Sequence, residues 1–220
     1  VPYGTWIIRE IESPKGYVLS EEEIAVTIGK VDEVVEIELV NYFIKGNIAL
    51  TKVDEDYPDN KLSGAVFEVY SDTNGDGKLD KDDTLLGEMK ELDGGVYQMS
   101  ELRYGKYLVK ETKAPTGFVL DEDVYAVSIE ENGKTYTVEN KAGVGFINAA
   151  QKGSLKIVKT SSDGKVEGFS FRVTGVDYDQ TFKTDKNGEI VIEGLQIGDY
   201  TVSEVSDKAS AGYILSLIHI

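Results

Sequence analysis

Polar and apolar positions trade places with a period of two over short stretches, as in Lys134-Thr-Tyr-Thr-Val-Glu139, or gather into compact β-branched runs such as Glu189-Ile-Val-Ile192. Alternation sends successive side chains to opposite faces of a strand, and a continuous apolar run suits a strand covered on both faces. Glycine, asparagine and aspartate separate the runs, with Asn132-Gly133 and Asp163-Gly164 as plain turn signals. No segment sustains a period of 3.6, so the pattern predicts an all-β chain of packed sheets with little helix.

The pattern also repeats. Ile7-Ile-Arg-Glu-Ile-Glu-Ser-Pro-Lys-Gly-Tyr17, Leu108-Val-Lys-Glu-Thr-Lys-Ala-Pro-Thr-Gly-Phe118 and Tyr200-Thr-Val-Ser-Glu-Val-Ser-Asp-Lys-Ala-Ser-Ala-Gly-Tyr213 each run from an apolar strand through a glutamate to a Gly-aromatic turn. A second signature, Asn then Lys-Gly then a β-rich run ending in Lys, occupies Asn41 to Lys52 and Asn148 to Lys159. The glutamates Glu10, Glu111 and Glu204 recur about every hundred residues, the size of one β-sandwich. The expectation is one whole module, 46–151, between parts of two others, 1–45 and 152–220, with both ends read as truncations. Whether Ser216 to Ile220 is native sequence is left open.

Composition narrows the chemistry. Asp and Glu outnumber Lys and Arg 40 to 23, a net charge of -17, which repels nucleic acid and anionic lipid and favours cations. There is no cysteine, and the single histidine is His219, so disulfides, thiolate sites, zinc sites and histidine-based triads have no material. No apolar stretch is long enough to span a bilayer. A small secreted module usually carries a staple, and here it must be something other than a disulfide.

The residues resemble a known family. Leu50-Thr-Lys-Val-Asp54, Gly64-Ala-Val-Phe-Glu68, Gly105-Lys-Tyr-Leu-Val-Lys-Glu111 leading to Ala114-Pro-Thr-Gly-Phe118, and a last strand ending at Asn148 are similar, in this order, to the CnaB-type (SpaA-like, prealbumin-like) domains of Gram-positive pilins and collagen-adhesin stalks. The resemblance implies tandem immunoglobulin-like β-sandwich modules. It also implies an intramolecular isopeptide bond in which a first-strand lysine condenses with a last-strand asparagine, assisted by a buried acid.

On these terms the middle module holds a full triad: Lys52 as nucleophile, Glu111 as acid, Asn148 as electrophile. Glu10 and Asn41, and likewise Lys159 and Glu204, are partial triads of the flanking modules. Strand parity agrees. Ile48, Leu50 and Lys52 share a face, as do Leu155, Ile157 and Lys159; Tyr107, Val109 and Glu111 form a stripe that Trp6, Ile8 and Glu10 and then Tyr200, Val202 and Glu204 repeat. Asn41 follows Ile37 and Leu39 on one face, and Asn148 follows Val144 and Phe146. Lys156 falls on the opposite face and reads as solvated. Asn140 also ends a strand-like run and stands as an alternative electrophile to Asn148.

A second motif, Asp72-Thr-Asn-Gly-Asp-Gly-Lys-Leu-Asp-Lys-Asp-Asp83, places Asp72, Asn74, Asp76, Asp80 and Asp83 at positions one, three, five, nine and twelve of a calcium loop. Gly77 takes the sixth place and Lys78 offers its carbonyl at the seventh. Asp stands where the longer Glu is usual at twelve, and the strand-like flanks point to a structural calcium site rather than a helical sensor.

The functional expectation is a non-enzymatic stalk or backbone segment, extracellular and associated with the cell wall of a Gram-positive-type bacterium, its partners being neighbouring modules of the same chain. Two alternatives stand beside it. One is a ligand-binding adhesin module recognising host extracellular-matrix protein or glycan, with Tyr42 and Phe43 as exposed aromatics. The other is an ancillary module of a carbohydrate-active enzyme.

Overall fold

The computed structural model describes residues 1–175, 178–215 and 217–219, the last three by backbone alone, so the side chain of His219 and the question posed for Ser216 and Ile220 lie outside the described residues. Every regular element among them is a strand. The chain divides into two compact units, the first comprising Val1–Pro115 and Leu120–Asn148, the second Thr116–Val119 and Ala149–Ile220.

The first unit opens with β1 (Gly4–Arg9) and β2 (Glu23–Ile28), an antiparallel ribbon. The stripe expected on β1 is exposed rather than buried, Trp6 being 41% accessible. Alternation fixes which side chains share a face, but only a second layer buries that face, and in this ribbon only Val26, the partner of Trp6 on β2, is buried. Nor is the Ile37 to Leu39 run before Asn41 a strand here. A strand needs a neighbour for its backbone groups, and this segment pairs with none among the described residues.

The main body is a two-sheet sandwich. β3 (Lys45–Asp54), β4 (Val66–Ser71), β5 (Thr84–Glu88), β6 (Lys90–Asp93), β7 (Val96–Arg103), β8 (Gly105–Lys113), β9 (Val124–Ile129), β10 (Thr135–Thr137) and β11 (Phe146–Asn148) follow in chain order. One sheet runs β10-β3-β7-β6, with β11 also on β3; the other runs β5-β4-β8-β9. Ile48 and Leu50 of β3, Phe67 and Val69 of β4, Tyr97 of β7 and Val109 of β8 meet between the sheets. Each buried side chain of this size contributes about 1.5–3 kcal/mol relative to exposure.

β10 and β11 lie one after the other along a single edge of β3, both parallel to it. The β11 register sets Phe146 opposite Lys52, so the inward face of β11 carries Phe146 and then Asn148. Glycine makes this approach possible: at Gly145, φ is +133° and a Cβ would stand 2.8 Å from the Thr51 carbonyl. Gly95, at φ +80°, plays a similar part on the other side of β3, where its carbonyl accepts the Lys52 N–H at 2.7 Å.

The second unit contains β12 (Lys152–Val158), β13 (Ser170–Gly175), β14 (Tyr178–Lys183), β15 (Glu189–Gln196), β16 (Thr201–Val205) and β17 (Leu217–His219). β12 pairs with β15, and β14-β13-β16-β17 form a four-stranded sheet. Ile157, Phe169, Phe171, Val173, Ile192 and Val202 belong to its core.

Candidate functional site

Lys52, Glu111 and Asn148 meet inside the first sandwich, with relative exposures of 0%, 0% and 3%. Parity brings them there: Lys52 follows Ile48 and Leu50 on the inward stripe of β3, Glu111 ends that of β8 opposite Phe67, and Asn148 ends that of β11. Lys52 Nζ donates to the Phe146 carbonyl at 3.0 Å and to Asn148 Oδ1, and lies 5.0 Å from the Phe146 ring centre. Asn148 Nδ2 donates to Glu111 Oε2 at 2.8 Å, and the Asp121 N–H donates to the same oxygen at 2.9 Å. Phe67 and Tyr125 pack edge-on against Phe146 at 4.9 and 5.1 Å, closing the site with aromatic surface.

Burial pulls the Lys52 ammonium down to about 8, against the opposing pull of the Glu111 and Asp121 charges. Burial pushes the Glu111 carboxyl up, although hydrogen bonds from Asp121 and Asn148 and the charge of Lys52 act the other way. Both groups move toward neutrality, since a low-dielectric interior penalises the charged form of each. A neutral amine is a nucleophile, and a protonated carboxylic acid can polarise an amide and shuttle protons, so the site brings together the parts an amide exchange needs.

Asn140, the alternative amide, is engaged elsewhere. Its Nδ2 donates to the Ile147 carbonyl at 2.9 Å and to Asp121 Oδ2 at 2.7 Å, while its Oδ1 accepts the Ile147 N–H at 2.6 Å. Asp121 and Tyr125 were not picked out from the sequence. A signal existed: Glu10 accepts the N–H of Ser20 at 2.8 Å, so the residue ten positions after the glutamate serves the acid in both copies.

The partial triads are also drawn together. Asn41 Nδ2 donates to both oxygens of Glu10 at 2.8 Å, in a half-buried setting. Lys159 Nζ sits 3.0 and 3.2 Å from the two oxygens of the buried Glu204 and over the Phe169 ring at 4.7 Å. Lys156 points to the surface and pairs with Glu189 at 2.7 Å. Tyr42 and Phe43 are both exposed, at 74% and 38%, and the Phe43 ring also lies beside Tyr17, at 4.7 Å, and the Arg103 guanidinium, at 3.9 Å.

The acidic loop forms the β4–β5 hairpin connection. Asp72 Oδ2 accepts the Gly77 N–H at 3.2 Å, Asp76 Oδ1 accepts the Lys78 N–H at 2.9 Å, and Asn74 Nδ2 donates to Asp80 Oδ2 at 3.2 Å. Asp83 accepts from Thr73 at 3.1 Å and from Asp80 at 2.9 Å, tying the loop's end to its start. Asp72 is 7% exposed, and its Oδ1 is buried with no hydrogen-bond partner. Among the described residues no three His, Cys, Asp or Glu side chains stand close enough to make a finished metal cage.

No curated protein matches the chain. Among solved structures, the Bacillus anthracis TIE protein is similar over the whole chain at 28% identity and a TM-score of 0.77, and the chain spans 38% of that protein's length. A streptococcal ancillary pilin aligns over 100% of this chain and 72% of its own at 18% identity and a TM-score of 0.37. The shaft pilin SpaA from Lactobacillus rhamnosus GG aligns over 80% of this chain and 93% of its own at 16% and 0.39. The SpaA prealbumin-like fold domain matches residues 1–42, 46–142 and 153–218, and with nearly the whole length accounted for, the chain belongs to that family.

Proposed function

We propose that this chain is a segment of a pilin or adhesin stalk on a Gram-positive-type cell surface, and that its first sandwich is closed by an isopeptide bond between Lys52 and Asn148. The reading rests on one observation: a fully buried lysine amine lies against a buried asparagine amide that a buried glutamate holds by hydrogen bond. The neutral Lys52 amine attacks Asn148 Cγ, the new C–N bond forms, and the bond to Nδ2 breaks. Glu111 moves a proton from the lysine nitrogen to Nδ2, which leaves as ammonia. The step occurs once per molecule, without turnover.

The bond would close a loop spanning 96 positions. By the chain-entropy estimate a covalent link over such a loop stabilises by about 4–5 kcal/mol. That supplies the staple that a chain without cysteine lacks. Glu10 with Asn41, and Lys159 with Glu204, belong to the same chemistry in neighbouring modules, which are the chain's nearest partners.

The hairpin loop Asp72 to Asp83 is proposed to hold a structural calcium ion. The unpartnered, buried Asp72 Oδ1 supports this, as does the alternation of oxygen-bearing side chains around Gly77. Asp72, Asn74, Asp76, Asp80, Asp83 and the Lys78 carbonyl would supply the ligands, with the carboxylates drawing inward around the ion. Bound calcium would offset most of the loop's negative charge and fix a long inter-strand connection.

Intact mass tests the central claim. The chain should weigh about 17 Da less than its sequence for each bond formed, the mass of one ammonia. The deficit should vanish in Lys52→Ala and Glu111→Ala. A full sequence mass in the unaltered chain rules the bond out.

A further inference from the structure

Asn148 lies on a three-residue strand, and something must hold that strand against β3 closely enough to seat the amide on Lys52. On its β3 side, β11 is paired in parallel, and the Asn148 carbonyl accepts the Glu55 N–H at 3.1 Å. The Ile147 backbone, one residue earlier, presents its N–H and carbonyl to the other side, because backbone groups alternate along a strand. No strand runs there among the described residues. The Asn140 side chain takes the place of one: its amide accepts the Ile147 N–H at 2.6 Å and donates to the Ile147 carbonyl at 2.9 Å, as a neighbouring peptide would.

Asn140 is held in turn. Its Nδ2 donates to Asp121 Oδ2 at 2.7 Å, and the same oxygen accepts the Tyr125 hydroxyl at 2.8 Å. Asp121 Oδ1 accepts the Asp123 N–H at 2.9 Å, which fixes the carboxylate plane. The backbone N–H of this same Asp121 donates to Glu111 Oε2 at 2.9 Å. Asp121 thus touches the acid through its main chain and, through its side chain and Asn140, the strand that carries the electrophile. The Tyr125 ring, on the same oxygen, packs against Phe146, whose carbonyl receives Lys52 Nζ.

We infer that Asn140 and Asp121 are positioning residues for the cross-link, a side-chain latch that presses β11 against β3 and sets the Asn148 amide between Lys52 and Glu111. The inference rests on the proposed Lys52–Asn148 bond and assigns Asn140 a role other than competing electrophile. Neither residue exchanges an atom in the reaction. A displacement of about 1 Å between reacting groups is enough to slow such a step by up to about a hundredfold.

The test is a time course of ammonia loss, read as intact mass on the full chain after a pulse of cell-free synthesis. Asn140→Ala and Asp121→Ala should each slow bond formation at least about tenfold while retaining a β-sheet spectrum. Asp121→Asn, which keeps an oxygen to receive Asn140 Nδ2 and the Tyr125 hydroxyl but turns its own amide nitrogen toward the Asp123 N–H, should recover part of the rate lost in Asp121→Ala. A general loss of packing would give no such rescue. If Asn140→Ala does not fold, Asp121→Ala set against Asp121→Asn decides on the same criterion. Cross-linking of the alanine variants at the unaltered rate overturns the latch and leaves the bond standing. Absence of the mass deficit from the unaltered chain overturns the bond itself, and the latch with it.

Discussion

The Glu111 carboxylate uses one oxygen, Oε2, for both the Asp121 N–H and the Asn148 amide, while its other oxygen, Oε1, faces Lys52 Nζ across 3.8 Å with no hydrogen-bond partner. A proton on Oε1 would meet the amine and not compete with the amide. The acid is therefore placed to relay a proton between the two reacting nitrogens without giving up its hold on Asn148.

The rate of bond formation should depend on pH as a bell. The neutral fraction of Lys52 grows as pH rises toward about 8, far below the ordinary 10.5, because burial penalises the ammonium. The protonated fraction of Glu111 falls as pH passes its raised value. The product of the two peaks between these points, and initial rates of ammonia loss across a pH series would map it. A rate that climbs only near 10.5 would show that Lys52 is not activated.

Removing the two halves of the buried pair should not cost the same. Lys52→Met removes the bond but fills the space with an apolar chain, so it should lose about 4–5 kcal/mol, the contribution of the link. Glu111→Ala loses the bond, opens a cavity and also leaves the Asp121 N–H and the Asn148 amide without the oxygen that accepts from both, adding roughly 3 kcal/mol. Urea denaturation monitored by tyrosine and tryptophan fluorescence compares them. Equal midpoints for the two variants would contradict the assigned roles.

Calcium should stabilise the first unit. With the affinity of about 10⁻⁴ to 10⁻³ M common in extracellular modules, 10 mM ion reaches roughly ten to a hundred times Kd. That corresponds to about 1.4–2.7 kcal/mol and a measurable rise in Tm, reversed by chelator. Asp72→Ala should abolish the rise. Identical melting curves with and without the ion would remove calcium from the account.

Gly145→Ala should hinder the cross-link although it lies three positions from Asn148. The added Cβ would stand 2.8 Å from the Thr51 carbonyl at a φ of +133°, so β11 must back away from β3. The expected result is a slower loss of ammonia, by about tenfold, with a stability cost of about 1–3 kcal/mol. Mass kinetics and thermal melting read the two effects separately, and an unchanged rate would mean that β11 tolerates the shift.

Much of this was legible in the residues because it is written in a period of two. Tyr107, Val109 and Glu111 alternate on β8, and Ile48, Leu50 and Lys52 on β3, so parity alone turns the acid and the amine inward. What parity does not carry is pairing over distance. The parallel placement of β10 and β11 on one edge of β3 joins residues nearly ninety or more positions apart, and no local pattern announces it. For the same reason Asn140, which also ends a β-prone run, stands in the sequence as an alternative to Asn148, and only the bonding of one to Ile147 and of the other to Glu111 separates them. The stripe on β1 matches its counterparts in sequence yet stays exposed, since burial depends on a facing layer and not on alternation.

The side-by-side, same-direction placement of β3 and β11 has a mechanical consequence. Pulling the backbone at Lys45 against the backbone at Asn148 would slide these strands along one another, so their hydrogen bonds would bear the load together and not open one by one like a zipper. A covalent tie between Lys52 and Asn148 would sit directly across that sliding plane. Tension would then pass from the first strand of the sandwich to the last, leaving the hairpins between them unstretched.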